Sequence, residues 1–100
     1  MQYNKLVRDK IPDVIHENGE EAVFHIARDD EYWEKLKEKV LEEFQEFIAD
    51  ESLEEVADLM EVLHAVAAFK GFDLQQIDQL RQTKNEKRGA FVKRIILEKS

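Results

Sequence analysis

Residues 30–71 read DEYWEKLKEKVLEEFQEFIADESLEEVADLMEVLHAVAAFKG, and this stretch decides the fold. Trp33, Leu36, Val40, Phe44 and Phe47 recur at steps of three and four. That spacing lines one side of a helix, predicted over 30–49. Asp50-Glu51-Ser52 makes a tight turn, and a second helix is expected over 53–70. Its apolar residues (Leu53, Val56, Leu59, Met60, Val62, Leu63, Val66, Phe69 and several alanines) point nearly all round. A helix apolar on most sides is expected to be buried on most sides. Gly71 suits a left-handed C-terminal cap, Asp73 caps a third helix over 74–88, and Gly89 stops it. The expected fold class is all-α: a compact helical bundle built on an antiparallel helix hairpin.

Towards the ends the signals shorten. Pro12 suits the first turn of a helix over 12–17, with Asn18-Gly19 as its stop. Val23-Phe24-His25-Ile26 and Ile95-Ile96-Leu97 are short apolar runs, which predict a small two-stranded extended patch. One proline and three glycines leave little room for linkers, so residues 1–100 are expected to form a single domain. A core of that size is thin, and association with further copies of the chain would reinforce it.

The 15 basic and 23 acidic residues sum to −8. This argues against a general nucleic-acid or anionic-membrane surface, which needs clustered Lys and Arg. The charge is segregated: residues 1–10 carry +2, residues 84–100 carry +4, and the middle carries the remaining −14. Such a layout suits a site that holds cations and a polyanion together. There is no cysteine, hence no disulfide and no thiolate chemistry. With no apolar run of signal-peptide or membrane-span length, the expected location is cytoplasmic.

The acids form two motifs. Glu43-Phe44-Gln45-Glu46 closes the first long helix, and Glu55-Val56-Ala57-Asp58 opens the second. At about 100° per residue, Glu43 lies roughly 20° from Leu36, at the edge of the apolar stripe, with Glu46 about 60° further round. Asp58 falls beside Val62 and Phe69, and Glu55 between Val62 and Val66, so none of these acids lies on a plain solvated face. If the helices fold back about residues 50–51, Glu43 comes level with Asp58 and Glu46 with Glu55. Helix axes about 8–10 Å apart then let inward carboxylates share a cation. Clustered carboxylates repel one another, and a hard divalent ion with oxygen ligands relieves this, Mg²⁺ or Mn²⁺ first. The competing explanation is local: Ser52-x-x-Glu55 is a capping box in which Glu55 would bond back to the helix start.

Lys84 and Arg88 share a face with Ile77 and Leu80. They read either as basic residues suited to a helix C-terminus or as a phosphate clamp. Lys5 and Arg8 are further cationic candidates. His64 reads as a structural histidine, and Trp33 and Phe44 as core. No phosphate-cradling glycine loop, Ser/His/Asp set or zinc-type spacing is present in the sequence.

The paired acidic motifs resemble those of the MazG-type and phosphoribosyl-ATP pyrophosphohydrolase superfamily, the all-α nucleoside triphosphate pyrophosphatases. The opening stretch Tyr3-Asn4-Lys5-Leu6-Val7-Arg8-Asp9-Lys10-Ile11-Pro12 and the later Lys87-Arg88-Gly89-Ala90-Phe91 also look like a phosphoribosyl-ATP-pyrophosphohydrolase-like subgroup. Eight residues separate the two acidic pairs, fewer than is usual in MazG proteins. The resemblance implies a homodimer or homotetramer in which Glu43, Glu46, Glu55 and Asp58 hold Mg²⁺, with Mn²⁺ as a substitute. It also implies cleavage of a nucleotide between the α- and β-phosphates, releasing pyrophosphate and a monophosphate. Glu43 or Glu46 would serve as proton acceptor, and Lys84, Lys87, Arg88, Lys5 and Arg8 would bind the phosphates. The alternatives are phosphoribosyl-ATP as substrate, in histidine biosynthesis, and a non-catalytic helical nucleotide-binding or oligomerisation module.

Overall fold

The computed structural model describes residues 4–100; Met1, Gln2 and Tyr3 of the opening stretch lie outside them. The described chain forms four helices: α1 (Ile11–Glu17), α2 (Asp29–Ala49), α3 (Leu53–Lys70) and α4 (Leu74–Arg88). All four lie where the sequence placed them, with boundaries within one residue of those expected.

Each helix end has a local cause. Pro12 sits in the first turn of α1, where its missing N–H costs nothing. α2 has no side-chain cap at its start, but Asp29, Asp30 and Glu31 place negative charge against the positive end of the helix dipole. The Ser52 hydroxyl accepts from the Glu55 amide at 3.2 Å and opens α3. Gly71, at φ +75°, closes α3 through bonds from the Gly71 and Phe72 amides to Ala68 and Ala67 carbonyls. Two residues later the Asp73 carboxylate accepts from the Gln75 amide at 3.0 Å and starts α4.

α2 and α3 pack against each other. Their contacts pair early α2 with late α3: Trp33 stacks on Phe69 at 5.6 Å between ring centroids, and Tyr32 meets the same ring edge-on at 5.3 Å. Near the turn the partners are instead the carboxylates of Glu43, Glu55 and Asp58. The helix pair is therefore apolar at its open end and acidic at its closed end. Leu36, fully buried, and Ala67 lie between.

Compaction is confined to this pair. The radius of gyration is 17.9 Å, against about 13 Å for a compact domain of this length. Every residue of α4 is exposed. The expectation that α3 is buried on most sides is corrected: Leu53, Met60 and Leu63 are largely exposed, because α2 and the segment around residues 5–9 cover only part of it. Phe44, read as core, is half exposed. The two-stranded patch is also corrected. Residues 20–28 and 92–100 form no strand, and Val23, Ile26 and Ile95–Leu97 are open to solvent. Two short strands cannot bury enough surface to hold each other without a third layer.

Candidate metal centre

Glu43, Glu55 and Asp58 each bring one carboxylate oxygen to within 4.8 Å of the others. The register of the helix pair does this: Glu43 closes α2 facing Asp58, and Glu55 stands one turn before Asp58 on α3. Glu43 is only 7% exposed. The Oε2 atoms of Glu43 and Glu55 are shut off from solvent and have no hydrogen-bond partner. The Ser52 cap is half of a capping box only. Its hydroxyl takes the Glu55 amide, but the Glu55 carboxylate turns towards Glu43 and Asp58 rather than back to the helix start.

Glu46 sits beside this trio rather than in it. Its carboxyl is raised above the ordinary range, first by the charge of Glu43, then by partial burial, by Glu42 and by a hydrogen bond shared with Glu43, with Lys39 opposing. Glu55 is also raised, first by burial and then by Glu46, Asp58, Glu43 and Asp50. Two acids that hold their protons more tightly than usual mark an excess of negative charge.

Three cations offset part of it. Arg8 donates from Nη2 to Asp58 Oδ1 at 2.9 Å. The ammonium of Lys39 lies 3.3 Å from Glu43 Oε1 and 3.4 Å from Glu42 Oε1. Lys5 reaches Glu42 at 3.5 Å. Sequence reasoning missed Lys39, whose signal was its position one turn before Glu43, where an oppositely charged pair meets on a helix. By contrast, Lys84, Lys87 and Arg88 ride on exposed α4 and make no ion pair with these acids among the described residues.

Beside the acids lies a cavity of about 710 Å³, roofed by residues 5–9 and α1 and floored by α2 and α3. Its polar end holds Glu43, Asp58, Lys5, Arg8 and Lys39, and Ile11, Ile15, Tyr32, Leu36, Val62 and Ala65 wall the rest. Glu61, one turn beyond Asp58, joins the same lining. His64 is exposed.

The donor set suits a hard divalent ion. Six-coordinate Mg²⁺ holds oxygens at about 2.1 Å, so opposite ligands stand roughly 4.2 Å apart. Adjacent ligands stand roughly 3.0 Å apart, so the three carboxylate oxygens within 4.8 Å would draw together on binding, and two of these acids carry an unpartnered Oε2 able to take part. All-oxygen ligands with no histidine or thiolate favour Mg²⁺ or Mn²⁺ over zinc.

No family model matches the chain, and no solved structure matches it. An uncharacterized protein of Mycolicibacterium smegmatis (strain ATCC 700084 / mc(2)155) is 44% identical over 45 residues, which are 45% of this chain and 46% of that protein. The match thus spans about half the length of each. Among the described residues, no helix is long and apolar enough to cross a membrane.

Proposed function

We propose that the chain is a divalent-metal-dependent nucleotide pyrophosphohydrolase, cleaving between the α- and β-phosphates to give pyrophosphate and a nucleoside monophosphate. The observation that carries this reading is a carboxylate trio with two buried, unpartnered oxygens, two of whose members, Glu43 and Asp58, line a cavity that also carries Lys5, Arg8 and Lys39 at that end and apolar side chains at the other. A nucleoside triphosphate has the matching halves: a polyanion that needs metal and cations, and a base and sugar that accept apolar walls.

Glu43, Glu55 and Asp58 would hold Mg²⁺ or Mn²⁺. The bound ion supplies charge neutralisation at the phosphates and a more acidic water. Arg8, Lys5 and Lys39 orient the phosphates and stabilise charge on the leaving pyrophosphate. Glu46, at the rim of the trio and outside it, is the better placed proton acceptor. Ile11, Ile15 and Tyr32 enclose the nucleoside.

The active form is a homodimer or homotetramer in the cytoplasm. Leu41, Phe44, Ile48, Leu53, Met60 and Leu63 remain largely exposed; on helical wheels they lie on the side of the α2–α3 pair away from the acids. A second copy packed there would cover them, and α4 would carry Lys84, Lys87 and Arg88 towards a neighbouring site.

The test is pyrophosphate release from a panel of ribo- and deoxyribonucleoside triphosphates with Mg²⁺, with Mn²⁺ and with EDTA. Metal-dependent release of pyrophosphate, not of single phosphates, is expected. Absence of turnover across the panel and with phosphoribosyl-ATP would leave a non-catalytic helical module.

A further inference from the structure

The Arg8–Asp58 pair is unusual in where it sits. Asp58 belongs to the carboxylate trio, yet it is already bonded by the Arg8 guanidinium at 2.9 Å. Glu43 shares Lys39 with Glu42, and Glu55 has no cation within bonding range among the described residues. Of the three acids, Asp58 is thus the one engaged by a group from outside α2 and α3.

Arg8 is tethered by its backbone and free at its tip. Its carbonyl accepts from the Ile11 amide at 3.1 Å, which fixes it at the start of α1. Leu6, two residues earlier, is partly buried. Its side chain, however, is 60% exposed and lies along the wall of the 710 Å³ cavity. A dication placed among the trio would repel the guanidinium and take over Asp58. The released fork is planar and bidentate, suited to a phosphate, and the cavity it lines is where a phosphate would lie.

We propose that Arg8 is a built-in counter-ion which occupies Asp58 before metal binds and passes to the substrate's phosphates once metal displaces it. One residue then couples the two ligands: it opposes the metal and favours the nucleotide, so each ligand raises the other's affinity. This rests on the metal-binding reading above and adds the order in which the site is filled.

The test measures binding, not turnover. Mn²⁺ affinity is followed by calorimetry for the full chain, Arg8→Ala, Arg8→Gln and Lys10→Ala. The affinity of an α,β-imido nucleoside triphosphate is measured with and without Mn²⁺. Removing an exposed ion-pair partner should tighten Mn²⁺ about twofold to fivefold and weaken the nucleotide analogue about tenfold or more. Arg8→Gln, which removes the charge but keeps part of the side chain's bulk and an amide donor, should behave the same way. Lys10→Ala removes the same charge two residues away and should leave Mn²⁺ within twofold. Opposite-signed effects of Arg8 substitution support the hand-over. Unchanged or weaker Mn²⁺ binding in both Arg8 variants, with the full chain still binding Mn²⁺ and hydrolysing nucleotide, overturns it alone. Failure of every form to bind Mn²⁺ overturns it together with the metal centre.

Discussion

Replacing Glu43 by Gln should raise the stability of the metal-free protein and abolish the stabilisation that metal confers. Glu43 lies within 4.8 Å of Glu55 and Asp58 through its nearest oxygen and 3.3 Å from Lys39. At an effective dielectric of about 20, each repulsion amounts to roughly 3.5 kcal/mol and the lost attraction to roughly 5 kcal/mol. The difference, about 2 kcal/mol in favour of the neutral side chain, shrinks with solvent screening to about 1 kcal/mol. A Gln amide can also donate to the unpartnered Glu55 Oε2. For a domain of this size about 1 kcal/mol raises Tm by roughly 4–8 °C. With Mg²⁺ at about a hundred times its Kd, the unaltered chain should gain about 2.7 kcal/mol and overtake the variant. Thermal unfolding followed by circular dichroism, in EDTA and in Mg²⁺ at one protein concentration, reads both effects. A variant less stable in EDTA, or one that gains as much from Mg²⁺ as the unaltered chain, would refute the reasoning.

The remaining predictions concern pH, assembly and packing. Glu46 and Glu55 hold protons more tightly when folded than unfolded, so the stability these two groups contribute to the metal-free protein is fully present below the ordinary carboxylate pKa and is lost as pH rises through the raised values; Glu46→Gln with Glu55→Gln should remove that part of the pH dependence in urea titrations. Phe44→Glu or Met60→Glu, at exposed apolar positions on α2 and α3, should shift the protein to a smaller species in light scattering while its helices still form. Leu36→Ala removes the fully buried leucine and should cost about 2–5 kcal/mol, enough to lower the urea midpoint sharply. Gly71→Ala meets no atom within 4 Å but sits at φ +75°, so its cost of about 1 kcal/mol is purely conformational and should appear as a modest fall in Tm.

The four helices and their ends were legible because their causes are local. Pro12, the Ser52 and Asp73 caps and the left-handed Gly71 act within a few residues, and the three- and four-residue apolar steps of α2 need no tertiary information. The pairing of Glu43 with Asp58 was legible for a similar reason: a short turn leaves two helices few registers. Other features are decided only in three dimensions. The sequence placed Glu46 opposite Glu55, whereas the structure gathers Glu55 with Glu43 and Asp58 and leaves Glu46 at the rim, because a carboxylate's reach depends on side-chain direction and not on level alone. Lys39 at the acids and Arg8 on Asp58 depend on how residues 5–9 cross the helix pair, which no periodicity encodes. The runs at Val23–Ile26 and Ile95–Leu97 are apolar enough for strands, but a strand exists only where another pairs with it. The exposed side of α3 follows the same physics: hydrophobicity states that a surface is to be covered, and only the arrangement of chains decides by what.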